Sequence, residues 1–270
     1  MGLSRDSAVR LRPTAAIAAA LLAMALTGAS RGGGIVFPRA YEEIVAMWRQ
    51  SGGQNSSNAS VLETAEWTTL VVPFSAFGTL AGPSMTDDAL SVARRELAKG
   101  RYGATLPYYR AGIGSIVVIN DVRLAELEPT AQGQAREREQ AGYLEHVRKV
   151  TLAAVLAHET THALQFMRGD IYPGPGTLPY PGHDQKDELE AYLNINAIYE
   201  SQLGLSLPQS RYEAIIRQDY SNLPEQALGF PERTRAFIAQ RQLVDKSEGA
   251  GRPADFRDAL ARIRLHQERP

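Results

Sequence analysis

From Tyr143 to Arg168 the chain runs without a single glycine or proline, and it stops at Gly169. Such a stretch predicts one long helix with a glycine at its end, the residue that best tolerates the left-handed turn closing a helix. Within it stands His158-Glu159-Thr160-Thr161-His162. Residues four apart share a helical face, so both imidazoles can reach one metal ion. Glu159 sits about 100° around the axis, at the edge of that face, where it can hold a metal-bound water and not the metal itself.

Composition limits what else could complete the site. The 270 residues include five His and no Cys. A thiolate zinc finger, a disulfide framework, a cysteine nucleophile and a cysteine-ligated iron–sulfur cluster are all excluded. Any transition-metal site must be built from those His and carboxylates. The net charge of −1 provides no electrostatic footprint for nucleic acid, so no nucleic-acid partner is expected. With 44% hydrophobic and 22% charged residues, the chain is suited to a packed core.

Uncharged residues surround the motif: Val155, Leu156 and Ala157 before it, Thr160 and Thr161 within it, Ala163 and Leu164 after it. In this the sequence resembles the extended signature of zincin metallopeptidases. A metzincin continuation would need Gly at 165 and His at 168, where Gln165 and Arg168 stand. Gly176-Thr177 opens an aspzincin-like pattern, but Pro179 occupies the place of its Asp. Asp187-Glu188-Leu189-Glu190-Ala191-Tyr192 resembles the gluzincin element Glu-x-x-Ala/Ser-Asp, and the resemblance implies that Glu188 is the third ligand.

Ala191, Tyr192, Ile195 and Tyr199 share the side of Glu188 on the expected helix, whereas Glu190 lies about 200° away. His183, Asp184 and Glu190 are reserve ligands. Tyr192 stands where gluzincins usually place an Asp that orients a ligating His; Asn194, Asn196 or a backbone carbonyl are the alternatives.

The resemblance implies an α+β fold, a mainly helical zincin-like domain with a small sheet upstream of the active-site helix. It implies zinc held by His158, His162 and Glu188, with Glu159 as general base in the hydrolysis of a peptide or protein substrate. Tyr172, Tyr180, His183 and Tyr192 are candidates for stabilising the oxyanion. The alternative is a zincin-fold protein that binds zinc or a partner without proteolysis.

Residues 1–29 read as a cleaved signal peptide: Arg5, Arg10 and Arg12, an apolar run from Ala15 to Leu26, then small residues at Thr27-Gly28-Ala29. A secreted or periplasmic protein without stable membrane insertion after cleavage is expected. Residues 30–60 read as a flexible segment and linker, with Arg31–Phe37 mobile, one short helix after Pro38, and a polar run from Ser51 to Asn58. Asn55 and Asn58 stand in glycosylation sequons, a cheap match in such a composition.

Residues 61–205 form the expected catalytic domain and 206–270 a helical extension. Thr68–Phe74 is a strand that Pro73 pushes toward a sheet edge, Thr86–Lys99 a helix, and Gly100–Gly114 a connection. Ser115–Asn120 is the clearest strand, either an edge that pairs with a peptide or a buried one. A Pro/Gly loop at 172–182 precedes a helix at Gln185–Leu203, and further helices are expected near 210–220, 224–243 and 253–266.

Overall fold

The computed structural model describes residues 34–76, 94, 95, 97, 98, 100–110, 113–172 and 180–247. The expected signal segment and the helix near 253–266 lie outside the described residues. Of the helix expected at Thr86–Lys99, Arg94, Arg95, Leu97 and Ala98 are helical, and most of the rest lies outside them too.

The architecture is α+β and mostly helical, with one small mixed sheet. In chain order come β1 (Gly34–Val36), α1 (Glu42–Gln50), α2 (Gly53–Thr64), β2 (Thr68–Pro73), β3 (Gly103–Arg110) and β4 (Ile113–Ile119). Then follow the helices α3 (Asp121–Ala125), α4 (Ala131–Glu139), α5 (Tyr143–Arg168), α6 (Gln185–Leu203), α7 (Gln209–Asp219) and α8 (Pro231–Ser247). The sheet order is β1-β2-β4-β3, with β1, β2 and β4 parallel and β3 antiparallel to β4. The described residues fall in one compact unit.

Four local expectations are corrected. First, Gly53–Thr64 is a helix and not a linker. Its inner stripe is Asn55, Asn58, Ala59 and Leu62, all buried at helical spacing. Polarity disguised that stripe. Asn55 is inside because its amide donates to the carbonyl of Asn194 on α6 at 3.0 Å, satisfying a buried acceptor. Both sequon asparagines are therefore inaccessible in the folded chain, at 0% and 2% exposure.

Second, residues 34–36 of the segment expected to be mobile pair with Thr68–Leu70 as a parallel strand. Third, β2 is internal and not an edge. Pro73 is tolerated because β1 spans only Thr68–Leu70, so no ladder bond is required of it on that side. Fourth, the stretch expected to be a connection contains β3, which pairs with β4 from Gly103 to Arg110 through an irregular register beyond Pro107. Gly103 and Pro107 hid it. β4 thereby becomes internal, with Ile116–Ile119 buried, and β3 is a terminal strand, as is β1 at the other end.

The core gathers Trp48 of α1, Leu62 of α2, Val117 and Ile119 of β4, the small and branched residues of α5, and Ile198 of α6. Ala153, Ala154 and Ala157 line α5 where the other elements approach, and small side chains permit that closeness. α5 ends at Gly169 with φ 81°, a conformation closed to other residues here because a Cβ would lie 2.5 Å from Cα of Pro231. α6 opens with a capping box: the Asp184 carboxylate accepts from the backbone N–H groups of Lys186 and Asp187, and Asp187 accepts from that of Asp184. These two ends aim one helix face at the other.

Candidate metal centre

Helix α5 is buried along the face that carries His158 and His162, and α6 lays Glu188 across from them. The two Nε2 atoms are 3.2 Å apart. His158 Nε2 is 3.6 Å from Glu188 Oε2, and His162 Nε2 is 3.7 Å from Glu188 Oε1. Ligating atoms of the three residues all lie within 4.8 Å of one another, so they could hold a metal ion. A tetrahedral ion bound at about 2.0–2.1 Å separates its ligand atoms by about 3.3 Å, close to what these three present.

Their protonation suits the task. Burial pushes His158 down to about 3, helped by the neighbouring His162, so its ring is neutral with a lone pair to give. Burial alone would raise Glu188, but the imidazoles of His162, His183 and His158 hold it down to about 2. An anionic carboxylate at 2% exposure is stable only if compensated. Glu188 Oε2 nonetheless has no hydrogen-bond partner among the described residues. A cation held among the three side chains would satisfy it.

Of the reserve ligands, Asp184 and Glu190 are engaged elsewhere, while His183 borders the site. His183 Nε2 stands 3.0 Å from Glu188 Oε1, beside the carboxylate, and its ring meets that of His162 edge-on at 5.4 Å. The Asp184 carboxylate caps α6 and accepts from Ala227 N. Glu190 faces away, paired with Arg168.

Glu159, 6% exposed, lies beside the donors and against β3. Thr105 Oγ1 is 2.7 Å from both its Oε2 and its carbonyl oxygen. Burial raises its pKa, opposed by His162 and the Thr105 hydroxyl. A Cβ on Gly103 would fall 2.6 Å from Glu159 Oε1, so the missing side chain there makes room for the carboxylate.

The residue orienting His162 is one the sequence reading missed. Asn194 donates to Thr161 Oγ1, and Asn196 bonds Ser206, Leu207 and Tyr212, so neither reaches a ligand. Gln165 does, with Oε1 at 2.7 Å from His162 Nδ1. The i, i+3 spacing on one helix could have found it. Tyr192 packs edge-on against the His158 ring at 5.2 Å and is hydrogen-bonded to Tyr220. His158 Nδ1 is buried without a hydrogen-bond partner among the described residues.

A cavity of about 1050 Å³ contains the site and extends along apolar residues that include Val155, Ile195, Tyr199 and Leu205. Of the four oxyanion candidates, Tyr180, His183 and Tyr192 line it, as does Tyr220, which the sequence did not single out. Tyr172 packs instead against Phe230 and Phe237.

No protein-family model matches the chain, and neither does any curated protein or solved structure. The functional reading therefore rests on the residues themselves: a buried His-His-Glu donor set, a carboxyl beside it, and a large cavity opening onto both.

Proposed function

We propose that this protein is an exported zinc-dependent metallopeptidase. The observation that carries the reading is the convergence of His158, His162 and Glu188 with Glu159 buried alongside. Zinc is favoured by a donor set of two imidazoles and one carboxylate with no sulfur and an open position. Bound there, it would supply Lewis acidity and a water acidic enough to react near neutral pH.

The rest of the chemistry falls to the chain. Glu159 accepts a proton from the attacking water and delivers it to the leaving amine nitrogen. Thr105 keeps its carboxylate in place. The terminal strand β3, whose residues Gly103–Leu106 line the cavity, offers extended backbone beside that base for a peptide to pair with. Tyr192, against the His158 ring, and His183, against the His162 ring, are the candidate donors to a developing oxyanion. Residues 1–29 direct the chain to a secreted or periplasmic location.

One observation favours a second reading, a zinc-binding protein without proteolysis. The unpartnered Nδ1 of His158 means that one ligand lacks the orienting acceptor that metal-bound imidazoles usually have. A peptide-library digest of the mature protein, with and without chelator, separates the two, alongside metal analysis. Stoichiometric zinc with chelator-sensitive cleavage is the expected result. Stoichiometric zinc without cleavage supports the second reading, and protein purified without zinc rejects both.

A further inference from the structure

We propose that Gln165 is a positioning residue that sets the tautomer and orientation of the His162 ring, and that Glu190, oriented by Arg168, holds Gln165 in place by accepting from its amide. The inference builds on the metal-centre reading above but concerns residues that touch no metal.

Gln165 is fully buried on α5. A buried side-chain amide must satisfy both of its ends. Its Nε2 donates to the backbone carbonyl of Asp187 at 3.0 Å and to Glu190 Oε2 at 2.9 Å. With two acceptors gathered at one end, the amide has a single sensible orientation, and its oxygen faces His162 Nδ1 at 2.7 Å. That oxygen can only accept. The ring proton therefore resides on Nδ1, and Nε2 keeps its lone pair pointed toward His158 and Glu188.

Glu190 is held in turn. Arg168 donates from Nη1 to its Oε1 at 3.1 Å and from Nη2 to its Oε2 at 2.7 Å, a two-pronged contact that fixes the carboxylate plane. Arg168 Nε also donates to Asp170 at 2.6 Å. The last turn of the helix carrying both His ligands is thus pinned to the first turns of the helix carrying Glu188. One chain, Arg168–Glu190–Gln165–His162, aligns a ligand and locks the two ligand-bearing helices together. His158 has no equivalent among the described residues, where its Nδ1 finds no hydrogen-bond partner. Among the described residues, Gln165 is the side chain that hydrogen-bonds Nδ1 of a candidate ligand imidazole.

The first measurement uses metal-free protein with ¹⁵N-labelled His and reads ring tautomers by long-range ¹H–¹⁵N correlation. In the wild type, His162 should carry its proton on Nδ1. In Gln165→Leu that preference should be lost, while zinc affinity, measured by competition with a chromophoric chelator, falls about 10–100-fold. Glu190→Ala should weaken zinc binding in the same direction. Glu190→Gln, which keeps an acceptor for the Gln165 amide, should recover most of it.

Wild-type tautomer and affinity in Gln165→Leu would overturn the proposal. Equal losses in Glu190→Ala and Glu190→Gln would overturn the clamp. If Gln165→Leu does not fold, the two Glu190 variants decide, because Glu190 is partly exposed and tolerant of change. Failure of the wild type to bind zinc would sink the metal-centre reading and leave the tautomer test of Gln165 intact.

Discussion

Thr105 Oγ1 stands 2.7 Å from Glu159 Oε2, tying the carboxyl beside the candidate metal ligands to a terminal strand of the sheet. The hydroxyl lowers the Glu159 pKa against the larger effect of burial. Thr105→Val removes that donor at nearly constant volume. The Glu159 pKa should rise, and because the base must be ionised, the acid limb of the kcat/KM profile should move to higher pH. A profile that stays in place would mean Glu159 does not act as the base.

Gly103 is the second contact of β3 with that carboxyl. Gly103→Ala would place a Cβ 2.6 Å from Oε1 and 2.7 Å from Cγ of Glu159. The side chain can yield, so the fold and zinc content should survive. The carboxylate cannot stay where it is, and misplacement by about 1 Å is enough to lower the rate on the order of 100-fold. Peptidase assays alongside metal analysis of the variant test this directly.

Ligands and base should separate by substitution. Glu159→Gln keeps the shape of the side chain and should retain zinc while losing about 100–10,000-fold in hydrolysis. His158→Ala, His162→Ala and Glu188→Ala should lose zinc and activity together. Wild-type cleavage by Glu159→Gln would assign the base elsewhere.

His158 should resist protonation in the metal-free protein. Its pKa falls from 6.5 to about 3 chiefly through burial, with His162 adding to the effect. The unfolded chain takes up that proton near 6.5 and the folded chain only near 3, so acid favours unfolding through this group. Its stabilising contribution is complete above pH 6.5 and is lost as pH falls toward 3. Asp187, raised to about 7 mainly by burial, works in the opposite direction, stabilising at low pH and losing that effect as pH rises toward 7. The difference in unfolding free energy between wild type and His158→Gln cancels the Asp187 effect. It should shrink as pH is lowered from 7 to 4, and a difference independent of pH would contradict the burial argument.

Helical spacing was enough to foresee the face shared by His158 and His162, the helices at Tyr143–Arg168 and Gln185–Leu203, and Glu190 turned away from Glu188. Those are local facts. A 3.6-residue period and glycine at 169 and 204 dictate them whatever the rest of the chain does. The approach of Glu188 to the two imidazoles was implied only by resemblance, and the packing of α6 on α5 brings it within reach.

Other features depended wholly on tertiary contacts. A polar run became helix α2 because Asn55 meets a carbonyl of α6, a partner invisible in a linear reading. An edge of the sheet fell to β3 and not to the more apolar Ser115–Asn120, because strand order is set by pairing partners distant in the chain. Gln165, rather than Asn194 or Asn196, came to face His162, since the acceptors that orient its amide, Asp187 and Glu190, belong to another helix. Residue spacing places side chains on a face; only the packing of one face against another decides which polar groups find partners.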